Sequence, residues 1–213
     1  KSLAGMSRKT SADFHFVVKA HRDMTHQLRS NSTGRLLDTG EVFKKFIFSL
    51  EPLVQDKKLS CVLMQFPYWF SPTPQNLDYL KKSRDLLGTI NLVVEFRNSR
   101  WVSEATFRFL RDNGMGYCAV DEPELKGLMP FVPECTSETG YIRLHGRNRD
   151  WFNAPVAVRY NYDYSDEELK GLLDPVKKME SRTQKMFVFF NNCHAGHAAK
   201  NAVQFARMLL AEP

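Results

Sequence analysis

The sequence predicts an α/β fold of parallel strands wrapped by helices, and three observations predict it. Six short apolar runs, rich in Val, Ile, Phe and Tyr, punctuate the 213 residues and read as buried strands. Segments with helical spacing lie between most of them, an alternation that sets successive strands parallel with a helix on the return path. No GxGxxG or GxxxxGK[ST] string follows any run, which disfavours a dinucleotide-binding or P-loop sheet. Periodicity alone leaves the sheet either closed or open.

The elements follow in order. FHFVVKA (14–20) is the first strand and EVFKKFIFSLEPL (41–53) a helix. CVLMQF (61–66) leads to the helical PQNLDYLKKSRDLLG (74–88), where Gly88 sits at the stop. NLVVEFR (91–97) is followed by SEATFRFLRDNG (103–114), with Ser103 ahead of Glu104 as an N-cap and Gly114 at the end. After GYCAVD (116–121), the link from Asp121 to Tyr141 carries ProGluLeu, MetPro and ValPro pieces and reads as an irregular crossing loop. YIRLHG (141–146) precedes SDEELKGLLDPVKKME (165–180), with Ser165 as the cap. MFVFFNN (186–192) then runs into the closing helix GHAAKNAVQFARMLLAE (196–212).

With 43% hydrophobic and 12% aromatic residues, the chain buries one sizeable core, so a single domain over 1–213 is the expectation. No apolar run reaches the roughly 18 residues of a membrane span, and the basic opening KSLAGMSRKTSADF has no signal-peptide character. A cytoplasmic protein with no membrane partner is expected. Because the chain starts at Lys1, a processed, trimmed or partial chain is also expected. Cys61, Cys118, Cys135 and Cys193 form no CxxC pair and read as reduced thiols. Asn31-Ser32-Thr33 fits a glycosylation acceptor that means nothing without secretion. A net charge of +6 favours anionic partners without specifying nucleic acid.

Within YIRLHGRN (141–148), Tyr141, Arg143 and His145 point one way and Ile142 and Leu144 the other. Reading every strand in steps of two gives end residues Lys19, Gln65, Arg97 after Glu95, Asp121, His145 and Asn191, all polar. Their opposite-face neighbours Val18, Met64, Val94, Val120, Leu144 and Phe190 are apolar. In a closed parallel barrel the inward set converges at the C-terminal mouth, where such barrels do chemistry. A solvated residue or structural ion pair explains any one of these ends, but six strands repeating the pattern favour a shared pocket.

FVVKAHRDMTH, VLMQFPYWF, VVEFRNSRW, YCAVDEPEL, YIRLHGRN and FFNNCHAGHAAKNA, in this order, resemble the domain-of-unknown-function-72 family, also called YecE-like. The resemblance covers nearly the whole chain. It implies a TIM-barrel-like (β/α) fold and no established activity. It also implies two strand–helix units upstream of FVVKA, so the six strands match the third to eighth of the family, with the first two units missing. Cys193-His194 departs from the pattern after FFNN, and no role is carried over to Cys193.

Lys19, Arg97 and Arg143 against Glu95 and Asp121 leave one excess positive charge, so the mouth favours a small anionic ligand. Gly146, Arg147 and Asn148 after one strand and Gly196 at the head of the last helix suit a phosphate or carboxylate, since loops after the last two strands of such barrels often hold one. The glycines equally suit turns alone. Glu95 and Asp121 are candidates for an acid/base pair in which like-charge crowding keeps one protonated, His145 for proton transfer, and Lys19 for Schiff-base chemistry, less favoured than a carboxylate pairing. Candidate substrate-binding residues are Gln65, Arg97, Arg143, Gly146, Arg147, Asn148, Trp151, Asn191, Asn192 and Gly196. Tyr68, Trp69, Trp101, Trp151 and Phe152 are candidates for stacking on a sugar or base, with loop packing an equal reading for Trp101.

Glu95, Asp121 and His145 also form a potential divalent-metal set, which the three cations disfavour. Cys193, His194 and His197 match no common zinc spacing. The leading reading is an enzyme acting on a small anionic, phosphorylated or sugar-like compound by acid/base chemistry. Its alternatives are a nucleic-acid-binding or metal-dependent phosphodiester-cleaving protein and a non-catalytic ligand sensor.

Overall fold

The computed structural model describes residues 2–29, 34, 37–152 and 154–211; the Asn31-Ser32-Thr33 acceptor lies outside the described residues. Six parallel strands follow one another in the sheet in chain order: β1 (Phe16–Lys19), β2 (Leu59–Gln65), β3 (Leu92–Glu95), β4 (Met115–Asp121), β5 (Thr139–Leu144) and β6 (Lys185–Phe190). Every adjacent pair is parallel. The sheet curls into a half-barrel wrapped by helices.

Those helices are α1 (Leu3–Ser7), α2 (Gly40–Gln55), α3 (Pro74–Leu87), α4 (Glu104–Asp112), α5 (Val156–Arg159), α6 (Asp166–Glu180) and α7 (His197–Ala211). The five predicted helices are present; the short α1 and α5 carry too little periodicity to be read from sequence. Their ends form where side chains satisfy free amide groups. Thr73 accepts from the Asn76 N–H, Ser103 from Thr106, and Ser165 forms a full capping box with Glu168. Gly88 and Gly114 take φ of 60° and 62° just past α3 and α4, a conformation open to glycine at little steric cost. Residues 122–138 cross irregularly from β4 to β5.

Register divides each strand into two faces. Leu92, Val94 and Tyr117 share one face, and the Tyr117 ring meets Phe107 of α4 edge-on at 5.1 Å, so this is the face beneath the helices. Its core continues above β2 and β3 in a stack of Phe96 on Trp101 (4.2 Å between centroids) and Phe66 on Phe70 (4.0 Å). Trp101 is fully buried, and its indole N–H donates to the Phe70 carbonyl at 2.6 Å. Burying rings of this size stabilises the fold by about 1.5–3 kcal/mol each, and it makes Trp101 core rather than a stacking surface at the mouth. At the opposite end of the sheet, buried Lys58 donates to the Ser7 and Thr10 carbonyls at 2.7 and 3.0 Å, fastening the N-terminal segment. Among the described residues no helix is long and apolar enough to cross a membrane.

Candidate functional site

The inner face follows from the same register. Gln65 pairs with Glu95, Cys118 with Tyr141, Val120 with Arg143, and Tyr141 and Arg143 with Phe187 and Phe189. Because side chains alternate, the inner set of β4 is Gly116, Cys118 and Val120, and the next inward residue beyond the strand is Glu122. Tyr117, Ala119 and Asp121 face the helices instead. The two-step reading of β4 from sequence was therefore one residue out of register, and a one-residue slip moves every side chain to the other face. All seven residues of β4 are buried, so the strand has no polar alternation to betray its facing.

Glu95 is the hub of the inner face. Its side chain is fully buried; Oε1 lies 2.8 Å from Arg97 Nη2, and Oε2 accepts from Arg143 Nη1. Burial pushes its pKa up, but Arg97, His145 and Arg143 outweigh burial and hold the carboxyl well below the usual range. Arg97 reaches the other way with Nη1, 2.9 Å from Glu122 Oε2, and Glu122 Oε1 accepts the Met129 N–H at 2.7 Å. Burial nevertheless raises the Glu122 pKa against the pull of Arg97. Of the two carboxyls on Arg97, Glu122 is thus the one more inclined to take up a proton.

His145 lies beneath this pair, with Nε2 2.9 Å from Arg97 Nη2 and 3.3 Å from Glu95 Oε1. Burial, then Arg97, drives its pKa down to about 3 despite Glu95, so the ring is neutral near pH 7. Arginine can only donate and the ionised carboxylate can only accept, so the two neighbours make opposite demands on Nε2, while Nδ1 is buried with no partner among the described residues. Lys19 Nζ donates to Gln65 Oε1 at 2.8 Å rather than to a carboxylate; desolvation, then Arg143, lowers its pKa. With both carboxylates ionised, three cations, Lys19, Arg97 and Arg143, stand against Glu95 and Glu122, an excess of one positive charge.

A hollow of about 310 Å³ opens over Arg97, Glu122 and Gln65. Its walls are Tyr68, Trp151, Phe152 and Tyr160, and His26 and Arg159 stand at its rim. Trp151 and Tyr160 meet edge-on at 5.6 Å. A second hollow of about 820 Å³ lies between the crossing segment around Lys126 and Arg147 and Arg149, with Glu122 forming part of both walls.

Other predicted site residues are placed elsewhere or already engaged. Asp121 accepts from Arg147 Nη2 at 2.9 Å and from the Tyr164 hydroxyl at 2.6 Å. Arg147 also reaches Glu168 at 3.3 Å and lies over the Tyr164 ring. The Gly146 N–H donates to the Tyr164 oxygen at 2.9 Å. Asn148 donates to the Val158 and Asn161 carbonyls, and buried Asn192 to the Tyr162 carbonyl and Asn201. Asn191 donates its backbone N–H to the Leu144 carbonyl. Gly196 is exposed in the turn before α7. In the predicted cradle of Gly146, Arg147, Asn148 and Gly196, Arg147 is thus engaged by Asp121, the Gly146 N–H by Tyr164, and the Asn148 amide by the Val158 and Asn161 carbonyls.

The set Glu95, Asp121 and His145 likewise does not converge, since Asp121 lies on the opposite face. Among the described residues no group of three His, Cys, Asp or Glu side chains is placed to hold a metal ion. Cys193 is exposed, while His197 Nδ1 sits 3.6 Å from Asp163.

Sequence reasoning missed Glu122, His26, Arg159 and Tyr160. Glu122 carried a signal, a second carboxylate directly after Asp121, but choosing between the two required the register. His26, Arg159 and Tyr160 come from connecting segments, where no periodicity announces which way a side chain points.

A family model described as "Protein of unknown function DUF72" matches residues 1–213. UPF0759 protein YunF of Bacillus subtilis (strain 168) is 33% identical over 214 residues, an alignment covering 95% of this chain and 75% of that protein. A crystal structure of a DUF72 family protein from Thermotoga maritima MSB8 superposes with a TM-score of 0.90 at 42% identity, covering 97% of this chain and 77% of the other. A second, from Enterococcus faecalis V583, gives 0.88 at 29% identity, covering 99% and 79%. Sequence match and shared architecture agree over nearly the full length, and the chain belongs to the DUF72 family of proteins of unknown function.

Proposed function

We propose that the hollow at the C-terminal mouth of the curled sheet binds a small anionic organic compound and that the protein acts on it as an enzyme by acid/base chemistry. The observation that carries this reading is Arg97, which lines the hollow and is shared between two buried carboxylates, Glu95 and Glu122, whose pKa values are moved in opposite directions. Glu95 stays ionised and holds Arg97 in place. Glu122, whose pKa burial raises, is the group at the floor suited to exchange a proton with the ligand. The excess positive charge attracts the anion, and His26, whose pKa is lowered by burial and then by Lys19, stands at the rim as a neutral imidazole.

The reading takes the half-barrel as an arc of a TIM-barrel-like ring, supported by the inner set that alternates along its strands. It places the protein in the cytoplasm, supported by four free thiols, three of them buried.

Calorimetric titration with inorganic phosphate, glucose 6-phosphate and benzoate tests the anion site, on the wild type and on Arg159→Ala. Binding of at least one anion, weakened in the variant, is expected. No binding of any of the three removes the proposal, and affinity confined to single-stranded DNA that falls steeply with salt favours the nucleic-acid alternative.

A further inference from the structure

We infer that the compound taken by this hollow is a flat aromatic or heteroaromatic ring carrying a single negative charge, an aryl carboxylate in chemical class. The inference rests on the reading of the hollow as an anion site and names what that site selects.

Its walls are the first argument. Four of the lining side chains are aromatic rings, and two of them, Tyr68 and Phe152, are 53% and 57% exposed. Large apolar side chains gathered around one opening mark a contact surface, and rings set against one another suit the face and edge of another ring. Trp151 and Tyr160, held edge-on at 5.6 Å, already display that geometry.

Charge supplies the second argument. The titratable groups facing the hollow are Arg97, Arg159, Glu122 and His26, together with the phenols of Tyr68 and Tyr160. With Glu122 ionised the two arginines leave one excess positive charge. A carboxylate balances it, while a phosphate dianion brings one charge more than these facing groups supply. Arg159 is the free donor, because its Nε binds the Ala154 carbonyl at 2.8 Å and no described residue is recorded against its two Nη groups. A guanidinium fork of that kind matches a carboxylate by two parallel bonds.

Size is the third. About 310 Å³ is near the lower end of small-molecule pockets, enough for one or two fused rings and their acid group and too little for a dinucleotide.

Trp151 fluorescence and calorimetry, read with four probes, test the inference: indole-3-carboxylate, cyclohexanecarboxylate, phenyl phosphate and inorganic phosphate. Indole-3-carboxylate is expected to bind about tenfold or more tighter than cyclohexanecarboxylate, which has the same charge and no π face. Tyr68→Ala and Phe152→Ala, both exposed and safe for folding, are expected to erase that preference while leaving cyclohexanecarboxylate binding within about twofold. Equal affinity for the two carboxylates, or tighter binding of either phosphate, overturns the inference and leaves the anion site standing. Failure of all four probes overturns both.

Discussion

Glu95 and Arg97, two residues apart at the end of β3, form an ion pair of 2.8 Å in which the carboxylate is completely shielded from water. Arg143 and His145 close on the same carboxylate from β5 and the turn after it, so one side chain ties together two strands that are not neighbours in the sheet.

Glu95→Gln removes the charge that compensates two arginines in a dry setting. Breaking one partner of a buried pair is expected to cost about 3–5 kcal/mol, read as a drop in chemical-denaturation stability. A loss under about 1 kcal/mol would show that water reaches the cluster and that the pair contributes little.

The pH dependence has a definite sign. The folded protein holds the Glu95 pKa below its ordinary value of 4.5, so its contribution is present above that pH and is lost as pH falls through the lowered folded value. His145 is depressed from 6.5 to about 3; the unfolded chain takes up a proton below 6.5 that the folded one refuses. Stability is therefore expected to fall with pH between 6.5 and 3 by about 1.4 kcal/mol per unit from this group. His145→Gln should flatten the slope between pH 5 and 6.5, where Glu95 does not titrate; an unchanged slope there would assign it to other groups.

Tyr164→Phe deletes a hydroxyl that donates to Asp121 at 2.6 Å and accepts from the Gly146 N–H at 2.9 Å. The buried Gly146 N–H loses its acceptor and Asp121, still held by Arg147, loses one of its two donors, at an expected cost of about 1–3 kcal/mol. Anion binding in the hollow should be unaffected, since this network lies on the helix side of β4. Coupled loss of both would merge the two networks.

Glu122→Gln keeps the size of the side chain and an acceptor for the Met129 N–H but cannot carry a proton. Affinity for indole-3-carboxylate is expected to rise, because a competing carboxylate leaves the floor of the hollow. Turnover of a substrate identified later should fall by about 100-fold or more. Weaker ligand binding in this variant would show that Glu122 serves to position Arg97 rather than to move a proton.

Gly146→Ala places a Cβ 2.6 Å from Tyr162 Cβ at a backbone φ of +90°. Both strain and collision act in the same direction, and a loss of about 2 kcal/mol or more in thermal unfolding is expected. A neutral result would mean that the turn over Tyr162 moves aside freely.

The six strands and five longer helices were legible because each repeats a local pattern: apolar runs bounded by turn residues, Ser165 three places before Glu168, Gly88 and Gly114 after helical stretches. The polar character of the inner mouth was legible too, since Glu95, Arg143 and His145 alternate with plainly apolar neighbours. Sequence by itself therefore determined the parallel α/β architecture and most of the inner charge set, both being matters of period and composition. Only the tertiary structure decided between Asp121 and Glu122, because β4 is buried on both faces and its facing is fixed by hydrogen-bond register with β3 and β5. It also decided that Arg147 is spent on Asp121 while Arg159, His26 and Tyr160 reach the hollow. A side chain in a loop is aimed by what packs beneath it, and that neighbour is seldom close in the chain.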